Sequence, residues 1–268
     1  MGMNTLTVGG VDLTATYGVY VDSSMSFDKP KKNIETVSIP GRNGDLVIDY
    51  GTFQNIAITY PCFIKENFDT NYNALMKKLA LMSGYQQITC SNDSTHYREG
   101  VPIIQQSPTV KRINKDGYFD LMFNCKPQRF LANQSAENIP TTADGTPPSG
   151  SLVKDNANGL TLKPTISFKG YGVLRFQVYL PDIIAPVEDI TITAADRGTS
   201  NPQTLMIDCE TMECYRQFGR FTVSQNSYVS FSPNEYPYVP SGGKAYIWVK
   251  SGENHFTNPT IDWKEWDL

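Results

Sequence analysis

Two histidines, His96 and His255, are all the imidazole available to this 268-residue chain. They stand far apart in sequence and in different expected domains. Acid–base chemistry would therefore rest on carboxylates, and Asp208, Glu210 and Glu213 gather around one expected turn. Two carboxyl groups at a suitable separation are enough for glycoside hydrolysis. With 27 acidic residues in the chain, however, such a cluster is ordinary. No Gly-x-Ser-x-Gly elbow, phosphate-binding loop or His-Glu-x-x-His pair occurs, and no acidic loop with a Gly at its bend suits calcium. The expectation is no catalytic residue, no cofactor and no metal. Cys62, Cys90, Cys125, Cys209 and Cys214 form no Cys-x-x-Cys pair and read as small buried hydrophobes. Stacking is the other chemistry on offer. Tyr236, Tyr238, Trp248 and Trp263, with Tyr246 and Trp266 nearby, could hold a sugar ring; the competing reading puts alternate members into a core.

Composition narrows the classes. Hydrophobic residues make up 40% of the chain and charged residues 19%, a globular balance with enough apolar mass for two domains. Fifteen Tyr and 13 Phe favour β structure. The net charge of -4 comes without a basic block, so nucleic acid is not an expected partner. No stretch approaches the roughly 20 apolar residues of a membrane span. The N-terminus lacks a charged segment followed by an apolar run, so no secretory leader is expected.

Short strands dominate the expected elements. Residues 54–63 alternate, with Ile56, Ile58, Tyr60 and Cys62 on one side. One segment has helical period: Tyr72, Leu75, Met76 and Leu79 predict an amphipathic helix at about 69–83, capped by Asn67 or Asp69 and stopped at Gly84. A hairpin turn is expected at Asn114, Lys115, Asp116 and Gly117. Residues 133–160 carry turn formers with almost no apolar period and read as a linker. After Leu160 about eight strands follow without a helix, the pattern of an antiparallel sandwich. The expected plan is mainly β: an α+β domain over 1–132 with one helix and a long hairpin, the linker, then a β-sandwich over 161–268.

Residues 39–46 read Ile-Pro-Gly-Arg-Asn-Gly-Asp-Leu between strand-like runs. Asn43-Gly44 is a strong hairpin signal, because both residue types tolerate positive φ, and Pro40-Gly41 adds a second turn. This block resembles the signature of the distal tail protein (Dit) family, the baseplate hub of long-tailed phages that infect Gram-positive bacteria. Further pieces follow in family order. Residues 118–131 resemble the strand that ends the family's first domain, and 163–172 the strand that opens its second. Residues 207–215 and 236–248 are similar to later segments, and 261–263 suit the last strand. The second-domain matches depart more: Tyr236 replaces a Phe, and Lys244-Ala245 stands where an Asn is usual.

The resemblance implies a structural protein rather than an enzyme. It implies a six-fold ring formed through the first domain, joining tail tube protein to a tail-associated lysin or fibre. A galectin-like second domain would project outward, in some phages carrying receptor-binding proteins. The location implied is the virion tail tip, after synthesis in the host cytoplasm. Arg42, Asn43 and Asp45 at one hairpin tip, and Asn114, Lys115 and Asp116 at the other, are the candidate inter-subunit contacts. The alternative function is a carbohydrate-binding module for cell-wall glycans. A weaker alternative is a tail-attached hydrolase.

Overall fold

The structure, a computed structural model, describes residues 3–22, 29–104, 111–113, 115–143, 147–157, 159–196, 204–218, 221–252 and 255–268. The chain divides into two compact units, Met1–Asn133 with Leu268, and Gln134–Asp267. Among the described residues no helix is long and apolar enough to cross a membrane.

In the first unit the chain runs β1 (Leu6–Val8), β2 (Val11–Asp12), α1 (Leu13–Tyr17), β3 (Val19–Val21), β4 (Lys32–Val37), β5 (Leu46–Phe53) and β6 (Ile56–Ile64). It continues through α2 (Phe68–Ala80), β7 (Gln86–Cys90), β8 (His96–Ile103), β9 (Lys111–Ile113) and β10 (Asp116–Leu131). Its spine is β10. Phe119, Leu121, Phe123 and Cys125 alternate inward along it, as a half-buried strand requires. One edge of β10 pairs with β6 from Gly117 to Cys125, and the other with β8 from Met122 to Leu131, with an irregularity between Cys125 and Arg129. The sheet order is β2-β1-β7-β8-β10-β6-β3, with β9 added on β10. Asn4 and Val21 exchange backbone hydrogen bonds of 3.2 and 2.9 Å, so the sheet curls until β1 and β3 meet.

Helix α2 packs against the sheet, burying Phe68, Leu75 and Leu79 in the same core. It ends before the expected residue 83. The Leu81 and Met82 N–H groups reach back only three residues, to the Lys78 and Leu79 carbonyls, which tightens the last turn and closes it. Asn67 starts the helix in the left-handed region without a side-chain cap. A second, five-residue helix, α1, was not expected. Asp12 caps it through Oδ1, accepting from Thr14 N (2.8 Å) and Ala15 N (2.9 Å), and Gly18 closes it at φ 66°.

The second unit holds β11 (Glu137–Asn138), β12 (Thr141–Thr142), β13 (Leu152–Asp155), β14 (Thr165–Lys169), β15 (Gly172–Tyr179), β16 (Glu188–Ala194) and β17 (Leu205–Asp208). Then follow β18 (Glu213–Phe218), β19 (Phe221–Ser224), β20 (Val229–Ser232), β21 (Lys244–Lys250), β22 (Thr257–Asp262) and β23 (Trp266–Asp267). Two sheets, β11-β22-β14-β17-β18-β19 and β12-β21-β15-β16-β20 with β13 on β21, share one core. Ile166, Phe168 and Ile207 enter it from one sheet, and Phe176, Ile192 and Ile247 from the other. That is a sandwich. The stretch expected as a linker supplies β11, β12 and β13 to these sheets. Its strands are two to four residues long, too short to leave a period in sequence.

Candidate functional site

β4 and β5 form a hairpin that pairs with no other strand among the described residues. The register sets Val37 opposite Leu46, Thr36 opposite Val47, Glu35 opposite Ile48 and Ile34 opposite Asp49. Opposed residues share a face and alternate positions change face. One face therefore carries Val37, Leu46, Ile48 and Tyr50 with a single charge, Glu35. Tyr50 donates to Glu35 at 2.5 Å, and this hydrogen bond pushes the phenol pKa up. The other face carries Ile34 and Val47 beside a Lys32–Asp49 ion pair. The Lys32 hydrogen bond, helped by the Gly51 N–H, holds the Asp49 carboxyl below its usual range. Ile34 is 54% exposed, Val47 59% and Tyr50 57%. Apolar residues on both faces of an uncovered hairpin are the signature of a surface meant to be covered.

The loop of this hairpin is wider than a two-residue Asn-Gly turn. β4 ends at Val37 and β5 starts at Leu46. Inside the loop, the Arg42 N–H donates to the Ile39 carbonyl at 3.1 Å, and Gly41 and Gly44 take φ of 83° and 80°. Arg42, Asn43 and Asp45 all stand exposed at the tip.

The other expected tip is built differently. Asn114 lies outside the described residues. Asp116 opens β10 instead of sitting in the turn, and its Oδ1 accepts from the Glu66 N–H at 3.1 Å. The Lys115 carbonyl accepts from the Phe68 N–H at 3.3 Å, while the residue itself is exposed. These bonds tie the β9–β10 turn to the start of α2.

No protein-family model and no curated protein sequence matches the chain. Among solved structures, the chain is similar to the Dit protein of phage SPP1, a hub of the adsorption apparatus in phages infecting Gram-positive hosts. The identity is 15%, both chains are covered in full and the TM-score is 0.56. The two chains share a fold. The phage P2 baseplate in its activated conformation with calcium also matches, at 9% identity, with 98% of this chain and 97% of the other covered and a TM-score of 0.55. The same baseplate with strontium gives 9%, 100%, 99% and 0.54.

The residues considered for chemistry do not converge within this fold. His96 and His255 lie in different units. His96 Nδ1 sits 2.9 Å from Asp93 Oδ1, and Arg129 lies 3.5 Å from the other carboxyl oxygen. Burial pushes the Asp93 pKa up, but hydrogen bonds from His96 and Thr95 and the charges of His96 and Arg129 outweigh it and hold the carboxyl low. The Asp208 carboxylate organises its own turn, accepting from the Glu210 and Thr211 N–H groups at 2.9 and 3.3 Å, with Lys264 at 3.7 Å. Lys163 lies 3.7 Å from Glu210. Among the described residues no group of His, Cys, Asp and Glu could hold a metal ion.

The aromatic set does not form a sugar platform either. Trp248 is fully buried, and Trp263 lies in the sandwich core beside Phe176. Half-buried Tyr236 packs on Phe231 with ring centres 4.4 Å apart. Tyr238 is half-buried, and its hydrogen bond with Glu188 pushes the phenol pKa up to about 12. Sequence reasoning found the tip of the β4–β5 hairpin and missed its apolar stem. The signal was there in Leu46, Val47, Ile48 and Tyr50, but a run of apolar residues reads as an ordinary core strand.

Proposed function

We propose that this chain is a structural, non-enzymatic protein of a phage tail tip. It forms a ring, six-fold by analogy, that joins the tail tube protein to a tail-associated lysin or fibre and supports receptor-binding proteins. Its place is the virion, after synthesis in the host cytoplasm. The observation that carries this reading is the likeness to baseplate hub structures over the whole length of the chain, through both units in order. The β4–β5 hairpin supports it. A closed ring uses two different surfaces of each copy, and a projecting apolar hairpin is an economical way to supply one of them. Burial of Trp248 and Trp263 removes two of the four aromatics on which glycan binding would rest.

The test is solution mass by light scattering together with electron microscopy of the main species. Rings with an open centre are expected, and deletion of residues 38–45 should disperse them. Rings that persist after the deletion would refute the hairpin's part in assembly. A chain that stays monomeric at all concentrations and in the presence of tube protein would refute the ring.

A further inference from the structure

The outer face of the first unit's sheet carries an aromatic row. Tyr20 on β3 stands opposite Phe63 on β6, and Phe63 opposite Tyr118 on β10. Their strand neighbours Val19, Val21, Cys62, Ile64 and Phe119 point into the core, so the three rings point away from it. Tyr20 and Phe63 stack at 5.4 Å with planes 24° apart, and Phe63 and Tyr118 lie at 5.9 Å and 34°. The rings thus stack face toward face along the row. Sugar rings stack on aromatic faces, and Phe63 has given both of its faces to its neighbours. What the row offers outward is an apolar ridge, with Tyr118 49% exposed. Beside it lies a depression of about 220 Å³ lined by Pro61, Lys111 and Asp120.

We propose that this ridge is the receiving surface for the β4–β5 hairpin of a second copy of the chain. The proposal rests on the ring reading above and names the surface that reading lacks. Two features of the molecule favour that occupant. The hairpin has an apolar face of matching character, Val37, Leu46, Ile48 and Tyr50, which pairs with no other strand among the described residues and stands exposed. The charges also complement: Arg42 and Asp45 flank the hairpin tip, and Asp120 and Lys111 flank the ridge. Among the described residues none of these four side chains has an ion-pair or hydrogen-bond partner within the chain. An apolar centre with a charged rim is the usual anatomy of a protein–protein interface. Adjacent copies in a ring would each give a hairpin and receive one, a head-to-tail contact that closes.

The test uses the full-length chain with Ile48→Cys in one preparation and Tyr118→Cys in another. Both positions are exposed, and the five native cysteines are buried, so a short bis-maleimide will join only the new thiols. A covalent dimer is expected when the two preparations are mixed, and in neither alone. Tyr118→Ser should raise the concentration for half-assembly by about tenfold or more, while circular dichroism shows the chain still folded. A dimer from Ile48→Cys alone would show hairpin meeting hairpin and overturn the proposal. So would the absence of any adduct. If the hairpin deletion still dispersed the assembly in that case, only the receiving surface would be wrong. If assembly ignored the deletion, the ring reading's use of the hairpin would fall with it.

Discussion

Gly117→Ala probes how the first unit is held together. Gly117 is the second residue of β10 and carries no left-handed φ, so its backbone accepts any side chain. The space does not. A Cβ there would lie 2.3, 2.4 and 2.6 Å from Phe68 Cδ2, Cε2 and Cγ. The Phe68 ring is 4% exposed, stacked on Tyr72 at 5.2 Å and set edge-on to Phe119 at 5.9 Å. It can move only by disturbing the start of α2. Two effects oppose. Replacing Gly by Ala inside a strand gains about 0.5–1 kcal/mol in chain entropy. Overpacking a filled core costs about 1–3 kcal/mol. The clash wins, by about 1–2 kcal/mol, and for a unit of this size the melting temperature should fall by about 3–10 °C. Phe68→Ala alone should cost about 3–5 kcal/mol. On that background the Gly117→Ala methyl group enters vacated space, so the double variant should be more stable than the sum of its parts by about 2 kcal/mol. Thermal unfolding of the four proteins by circular dichroism completes the cycle. Additivity within about 0.5 kcal/mol would refute the contact.

Gly170→Ala should cost the second unit roughly 2–4 kcal/mol by urea unfolding, since φ is 94° and the new Cβ would lie 2.1 Å from the His255 carbonyl oxygen. Gly252→Ala, with φ 88° and no described atom within 4 Å of the new Cβ, isolates the strain and should cost about 1–2 kcal/mol. All five cysteines should resist a thiol reagent at pH 8 in the folded protein and react only in denaturant, because all are buried and burial pushes the Cys125 thiol up to about 12. A folded pKa raised above the ordinary thiol value of about 9 gives stability that is full below pH 9 and is lost as pH rises toward 12, so Cys125→Ser should flatten the alkaline fall between those limits.

Long alternating segments were legible in the sequence, because period 2 repeated over many residues leaves few other readings. β6 is of this kind, and α2 emerged from its helical period. Short elements were not. β11 to β13 hold two to four residues each, and α1 holds five, so neither builds a period. Only the Asp12 cap and Gly18 stop marked α1. Trp248 and Trp263 drew attention because exposed aromatics bind sugars, but exposure is a tertiary property that spacing does not encode. The loop at 39–46 was legible as a turn cassette, since Gly41 and Gly44 do adopt positive φ. Its length was not, because Pro40 and the second glycine widened the turn that Asn43-Gly44 alone would close.

The stem of that hairpin poses the sharpest energetic question in the molecule. A lone two-stranded hairpin is marginal in water, because its ladder pays the chain entropy of both strands with little burial in return. β4 and β5 match each other well, with the Lys32–Asp49 pair, the Asn33–Thr52 bond of 2.9 Å and the Tyr50–Glu35 bond of 2.5 Å across them. All of these are exposed, where a polar contact is worth little. The apolar residues that could stabilise the ladder by burial are the ones left uncovered. An edge open on both sides and apolar on both faces is an aggregation hazard in a free protein. The same surface is an asset in a chain that meets a second copy, since the burial missing from the hairpin is then supplied across the contact. In the proposed ring the hairpin is a half-built element of one copy that another copy completes.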